Sequence, residues 1–122
     1  MLWHQLTDRS QLGALINISK EQSAQGLTVL LFKHSTRCSI SSMALSRLES
    51  KWESNDLIKP YFLDLLAYRE ISNEIAQLFK VEHASPQVLL IKNGNCFYHN
   101  SHNGISYQAI MEAVTKQNRL PA

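Results

Sequence analysis

The run LTVLLFKH, from Leu27 to His34, limits the folds open to this chain more than any other segment. It is a continuous apolar run rich in Val, Leu and Phe, with Gly26 before it and polar residues after it. A strand with one face in water alternates apolar and polar residues, whereas a strand covered on both faces is apolar throughout. We therefore predict that this run is a buried central strand of a parallel sheet.

The segments around this strand alternate between helical and strand-like patterns. The apolar opening at residues 2–6 and the run PYFLDLL, which starts at Pro60, predict two more strands. Apolar residues that recur every three or four positions predict three helices. Their stripes consist of Leu12, Leu15 and Ile16, of Ile40, Ala44, Leu45, Leu48 and Trp52, and of Ile71, Ile75, Leu78 and Phe79.

The last third of the chain predicts a hairpin and a final helix. PQVLLIKNGNCFYHN, residues 86–100, contains two strand-like runs joined by Asn93-Gly94, a pair that suits a tight primed turn. Ser106 is a plausible N-cap for the helix that follows. The resulting order, β-α-β-α-β-α-β-β-α, is the thioredoxin-like order. We predict one α/β domain over residues 1–122, a three-layer sandwich whose central mixed sheet has helices on both faces.

Composition excludes several classes of protein. The 122 residues include twelve basic and ten acidic side chains, for a net charge of +2, and no block of five like charges occurs. Nucleic-acid binding is therefore not expected. The N-terminus MLWHQLTDRS lacks a signal-peptide pattern, and no stretch approaches the roughly 18 apolar residues of a membrane span, so we expect a cytoplasmic protein without a membrane partner. Two cysteines are too few for a disulfide framework.

Cys38, within KHSTRCSISS at residues 33–42, is the candidate nucleophile. It lies where the buried strand gives way to a helix, and a helix N-terminus favours thiolate over thiol through its unpaired N–H groups and its dipole. Lys33, His34 and Arg37 supply potential positive charge nearby. An ordinary cysteine, with a pKa of about 8.5, is only about 3% thiolate at pH 7. The alternative is a buried, inert thiol at a polar helix start.

Ser41 occupies the position of the second cysteine in a C-x-x-C motif. One helical turn brings position i+3 back beside the sulfur, so the hydroxyl can donate a hydrogen bond to a thiolate. It cannot attack a mixed disulfide, so the second thiol must come from Cys96, another protein or a small molecule. Cys96 itself is either a resolving thiol or a small, partly buried strand residue. The motif predicts monothiol exchange.

Ser85-Pro86 directly precedes the fourth predicted strand. In the thioredoxin-like order this X-Pro bond is characteristically cis, lies against the reactive cysteine and exposes the preceding backbone to a substrate strand. We therefore expect Ser85 and Pro86 to shape a substrate groove. No metal site is expected, because Cys96, His99 and His102 recur every three residues on a strand, where such a step changes face.

The segments KHSTRCSIS and HASPQVLLIKNGNCFYHNSHNGIS resemble the small monothiol bacilliredoxins of the YtxJ type, thioredoxin-like proteins of the bacillithiol redox system. The similarity extends from Trp3 to the last helix. It implies that the Cys38 thiolate attacks a protein–bacillithiol mixed disulfide and releases the client thiol. Cys38 is then joined to bacillithiol, and free bacillithiol, the co-substrate, regenerates it. Arg37 is a candidate to meet the carboxylates of bacillithiol.

One residue departs from the family pattern T-x-C-P-I-S, because Ser39 occupies the position of the proline. Proline there restricts the entry to the helix and removes a donor, so Ser39 is expected to alter the site or add a hydrogen bond without abolishing the chemistry. Two other functions stay open on the sequence. One is a glutaredoxin-like monothiol protein that uses another low-molecular-weight thiol, and the other is a non-catalytic thioredoxin-like adaptor.

Overall fold

Strands and helices alternate along the computed structural model, which describes residues 1–20 and 27–119. The strands in these ranges are β1 (His4–Gln5), β2 (Thr28–His34), β3 (Ile58–Asp64), β4 (Gln87–Lys92) and β5 (Asn95–Ser101). The α-helices are α1 (Ser10–Lys20), α2 (Ser39–Lys51), α3 (Arg69–Phe79) and α4 (Tyr107–Asn118), and a 3-10 turn at His102–Gly104 precedes α4. The order is the predicted one. Gly26, predicted to bound β2, lies outside the described residues.

β2 lies at the centre of the sheet, whose strand order is β1-β3-β2-β4-β5. It pairs with β3 in parallel and with β4 antiparallel, and β5 returns antiparallel beside β4. Every residue of β2 is buried. The prediction of a central strand covered on both faces in a mixed sheet is therefore confirmed.

Two apolar clusters fill the space on the two sides of the sheet. Because side chains alternate along a strand, Leu31 belongs to one cluster and its neighbours Leu30 and Phe32 belong to the other. The first cluster includes residues of α1 and α3, namely Leu12, Leu15, Ile71, Ile75 and Phe79. The second includes residues of α2 and α4, namely Ala44, Leu48, Ile110 and Val114. The predicted three-layer sandwich has helices on both faces.

Two residues of the predicted apolar stripes point to solvent instead. Ile40 is 51% exposed and Leu78 is 48% exposed. In α2 the buried positions are Ser41, Ala44 and Leu48, so a serine takes the place in the first turn that the pattern assigns to isoleucine. The apolar pattern therefore predicts the helix correctly, but in the first turn the buried residue is one position later than predicted.

The β4–β5 hairpin has the predicted turn. Asn93 and Gly94 both have positive φ, 55° and 77°, as a primed two-residue turn requires. The end of α1 holds this turn, because the N–H of Asn93 donates to the Ser19 carbonyl at 2.8 Å and that of Gly94 donates to the Ser19 hydroxyl at 2.9 Å. Ser106 also caps α4 as predicted, since its hydroxyl accepts the N–H of Ala109 at 3.1 Å.

Lys33 is the one charged residue inside β2, and its side chain is fully buried. Its Nζ donates to the carbonyl of Ser72 in α3 at 3.2 Å and lies 3.4 Å from Nδ1 of His83. Burial lowers the pKa of the Lys33 amine to about 8. Lys33 thereby connects α3 to the segment that leads into β4. No helix in the described part of the chain is long and apolar enough to cross a membrane.

Replacement of Lys33 by methionine should change how stability depends on pH. The pKa of the amine is about 8 in the folded state against 10.5 ordinarily, so folding releases protons from Lys33 and its burial becomes less costly as the pH rises between these values. The free energy of unfolding of the wild type should gain about 2 kcal/mol relative to Lys33→Met between pH 7 and pH 10, measured by urea denaturation.

The matched control for this comparison is Lys51→Met, at the exposed end of α2. Its difference from the wild type should be the same at both pH values. If the difference in free energy of unfolding between the wild type and Lys33→Met were also the same at both pH values, the burial of the Lys33 amine would not lower its pKa as described.

Candidate active site

Cys38 is the N-cap residue of α2 and is half-buried. Its backbone is extended, with φ −109° and ψ 119°, and its carbonyl accepts the N–H of Ser42 at 3.1 Å as the helix begins. The Cys38 side chain makes no capping hydrogen bond to the helix. The thiol therefore stands at the positive end of α2, beside first-turn N–H groups that have no intrahelical partner.

Ser41 is fully buried one turn into α2, and its hydroxyl has two partners. Its Oγ lies 2.7 Å from Nδ1 of His34 and accepts the N–H of Ser35 at 3.0 Å. The N–H of Cys38 in turn donates to the carbonyl of Ser35 at 3.1 Å. Ser41 thus connects the end of β2 and the turn before Cys38 to α2, and these contacts, rather than one to the sulfur, are the ones its hydroxyl makes.

His34 lies on the Cys38 side of the sheet. It is 6% exposed, and its ring packs 5.3 Å from the ring of Phe62 between centroids. Burial lowers the pKa of the His34 imidazole, and the carboxylates of Asp64 and Glu49 offset part of that effect. Lys33, the other predicted cation of this strand, contacts α3 in the opposite layer. Consecutive strand residues face opposite sides, so only one of the pair lies on the side of α2.

Pro86 lies at the same end of the sheet as Cys38. The Ser85-Pro86 peptide bond is cis, as predicted. The register of β2 with β4 pairs Lys33 with Gln87, so the residue before Gln87 lies beside the end of β2 that leads to Cys38. Pro86 is buried, and in the described part of the chain the Ser85 hydroxyl oxygen is buried without a hydrogen-bond partner.

Arg47, on α2, is a structural link that the sequence analysis missed. Its guanidinium donates to the carbonyls of Ile105 and His102, at 3.1 and 3.3 Å from Nη2. The N–H of His102 donates to the Pro86 carbonyl at 3.1 Å. Arg47 therefore ties the helix that begins at Cys38 to the turn that holds Pro86. A single arginine among polar helix residues carries no sequence signal of such a role.

Exposed residues surround Cys38. Arg37 and Ser39, its neighbours in sequence, are both exposed. Three large apolar side chains are exposed at the same end of the molecule, and we call them the apolar rim. The rim consists of Ile40 at 51%, Met43 at 65% and Leu66 at 39% exposure. Ile40 and Met43 belong to the first turns of α2, and Leu66 follows β3, which runs parallel to β2.

Cys96 lies near the other end of the sheet. Ile91 pairs with Val29 at the beginning of β2 on one side and with Cys96 on the other, whereas Cys38 follows the end of β2. Val29 and His34 are about 16 Å apart along the strand at about 3.3 Å per residue, well beyond the Cα separation of a disulfide. The Cys96 thiol donates to the Tyr98 carbonyl at 3.2 Å, and burial raises its pKa. The structure does not bring the two cysteines together.

The strand that carries Cys96 also contains histidine, but its side chains do not converge. Cys96 packs against the cluster beneath α1 and α3, whereas His99 is exposed. Among residues 1–20 and 27–119, no group of three or more His, Cys, Asp or Glu side chains is arranged to hold a metal ion.

Comparison with known proteins agrees with this geometry. A thioredoxin-fold protein proposed to be an oxidoreductase has 27% identity and a TM-score of 0.73, with 89% of this chain and 90% of that chain covered. Thioredoxin from Malassezia sympodialis has 17% identity, a TM-score of 0.71 and coverages of 96% and 91%. That from Fasciola hepatica has 18% identity, a TM-score of 0.69 and coverages of 92% and 96%.

The fold is thus the thioredoxin fold, with a single cysteine at the start of α2 and a serine three residues later. The family model described as monothiol bacilliredoxin BrxC matches residues 4–110. This range contains Cys38, Ser41 and the cis Pro86, and it supports a thiol redox function. The chain belongs to the monothiol bacilliredoxin BrxC family.

Proposed function

We propose that this protein removes bacillithiol from S-bacillithiolated client proteins, with Cys38 as the nucleophile. The observation that carries the proposal is the position of Cys38, half-buried at the uncapped N-terminus of α2 and at the same sheet end as the cis Pro86. A helix N-terminus in general favours a thiolate through its dipole, and the half-buried Cys38 side chain remains open to a substrate sulfur. The cytoplasm, where low-molecular-weight thiols are kept reduced, is the proposed location.

The proposed exchange has two steps. In the first, the Cys38 thiolate attacks the bacillithiol sulfur of the mixed disulfide, the client's S–S bond breaks, and the client thiolate leaves and takes up a proton. In the second, a free bacillithiol thiolate attacks the bacillithiol sulfur held on Cys38. The products are bacillithiol disulfide and the Cys38 thiolate, so two electrons pass from bacillithiol to the client disulfide.

The residues around Cys38 take distinct parts in this proposal. Arg37 and Ser39 are exposed beside the sulfur, where a guanidinium can meet a carboxylate of bacillithiol and a hydroxyl can add a hydrogen bond. Ser85 and Pro86 line the groove for the client backbone. Ser41 holds the turn before Cys38 in place through its contacts with His34 and Ser35.

The exposed side chains favour a protein client over a small disulfide alone. The apolar rim lies beside a half-buried thiol, and exposed apolar surface next to a reactive group provides contact area that a small polar thiol does not need. The separation of the two cysteines favours a second thiol from outside the chain. Bacillithiol is the co-substrate that the family suggests.

Incubation with bacillithiol disulfide should form one mass adduct, on Cys38. Cys96→Ser should form the same adduct as the wild type, and Cys38→Ser should form none, as read by intact-protein mass spectrometry and peptide mapping. A faster adduct with glutathione disulfide would instead identify a glutaredoxin-like protein. If no oxidised thiol formed an adduct on Cys38, the result would favour the non-catalytic adaptor.

Replacement of Cys96 by serine should leave turnover intact. The thiol is about 16 Å from the end of β2 along the sheet and is engaged with the Tyr98 carbonyl, so it does not take part in exchange. The rate of client de-thiolation, with free bacillithiol present, should stay within about twofold of the wild type. Loss of turnover in Cys96→Ser together with its retention in Cys38→Ser would reverse the two roles.

Replacement of Met43 by glutamate should weaken the reaction with protein clients only. A charge in the apolar rim costs contact with a protein surface, so KM for an S-bacillithiolated protein should rise by about fivefold or more, while the rate with bacillithiol disulfide should change little. Leu78→Glu is the matched control, because Leu78 is also exposed but lies at the far end of α3. Equal effects on both substrates would argue against docking on the rim.

A further inference from the structure

The hydroxyl of Ser41 has more partners than it has hydrogens. A hydroxyl carries one hydrogen and two acceptor sites. The N–H of Ser35 fills one acceptor site, at 3.0 Å. The His34 Nδ1, at 2.7 Å, either receives the hydroxyl hydrogen or, when it carries its own hydrogen, fills the second acceptor site. In the second arrangement alone, the hydroxyl hydrogen is free for another acceptor.

Cys38, the N-cap residue of α2, lies at the same end of this helix as Ser41. The side chain of the third residue of a helix can reach back to the N-cap residue, and Ser41 is the third residue of α2. We propose that His34 is a positioning residue for Cys38 and that it acts through the Ser41 hydroxyl, by deciding whether that hydroxyl can donate to the Cys38 thiolate. This inference rests on the function proposed above, because it concerns the same thiol.

The proton transfers in this arrangement balance. In the structure the Ser41 hydroxyl is bonded to His34 and Ser35 and not to the Cys38 sulfur, so the step begins when the hydroxyl and the sulfur come into contact. The Cys38 S–H proton then passes to the Ser41 Oγ, and the original Ser41 hydrogen passes to Nδ1 of His34. One S–H bond is lost, one N–H bond is formed, and no electrons change hands. The thiolate is left with a hydroxyl donor beside it, and both acceptor sites of that hydroxyl are occupied by N–H groups.

The surroundings of His34 suit a group that takes up a proton temporarily. Burial lowers the pKa of the imidazole and so favours its neutral form. Asp64, from β3, and Glu49, from α2, are the carboxylates that favour the protonated ring. Glu49 is held by the indole N–H of Trp3 at 3.0 Å. Phe62, whose ring packs against His34, adds no charge.

The test measures whether His34 and Cys38 titrate together through Ser41. The His34 ring-proton NMR signal, identified by its loss in His34→Gln, is followed over pH in the wild type, Cys38→Ser, Ser41→Ala and the double variant Cys38→Ser/Ser41→Ala. Interacting groups shift each other equally, so the wild-type midpoint should exceed that of Cys38→Ser by about one pH unit. The difference in His34 midpoint between Ser41→Ala and Cys38→Ser/Ser41→Ala should be less than about half of the difference between the wild type and Cys38→Ser.

Two further variants separate the hydroxyl from its packing. Ser41→Thr keeps the hydroxyl and should retain the coupling, and Ser42→Ala, an exposed hydroxyl on the same helix, should leave it unchanged. The inference fails if the wild type and Cys38→Ser share one His34 midpoint, or if Ser41→Ala preserves the whole difference.

A second measurement applies even if Ser41→Ala does not fold. Iodoacetamide alkylation of Cys38 at pH 7 should be about tenfold slower in His34→Phe, which has no ring nitrogen, than in His34→Asn, which keeps a polar group near the place of Nδ1. Equal rates would overturn the inference. Neither measurement uses bacillithiol, so the two proposals fail separately. Coupling of His34 to Cys38 without bacillithiol exchange would contradict only the proposed function. Bacillithiol exchange without this coupling would contradict only the present inference.

Discussion

Burial of β2 on both faces is the constraint on which the rest of the structure depends. A strand without a solvent face needs a helical layer on each side, and those layers are α1 with α3 and α2 with α4. The strand also needs a neighbour on each edge, which β3 and β4 provide. The carboxyl end of β2 therefore lies at one end of the sheet. At this end Cys38 forms the N-cap of α2, near the turn that carries Pro86.

The same constraint explains the polar residues at the end of β2. Lys33 and His34 are both buried, and buried polar groups need partners. Because they face opposite layers, each fastens a different part of the site. Lys33 contacts Ser72 and His83 in the layer that leads to Pro86, and His34 contacts Ser41 in the helix that begins at Cys38. The polar end of this buried strand thereby connects the two halves of the candidate active site.

Patterns that depend on a few neighbouring residues were read correctly from the sequence. Residue type alone predicts the turn at Asn93-Gly94 and the cap at Ser106, because both depend on local backbone chemistry. The predicted burial of Ile40 and Leu78 was wrong, because the elements that pack against a helix decide which of its faces is buried. The distance of Cys96 from Cys38 also had no sequence signal, because it follows from the register of β2, β4 and β5.

The sequence by itself determined the order of the elements, the family and the single cysteine at the start of a helix. These follow from hydrophobic period, turn residues and a motif, which are properties of short segments. Only the tertiary structure decided which groups meet Ser41, which of Lys33 and His34 faces α2, and how Arg47 joins α2 to the turn at Pro86. Those contacts join residues far apart in the chain, and strand pairing and layer packing bring them together.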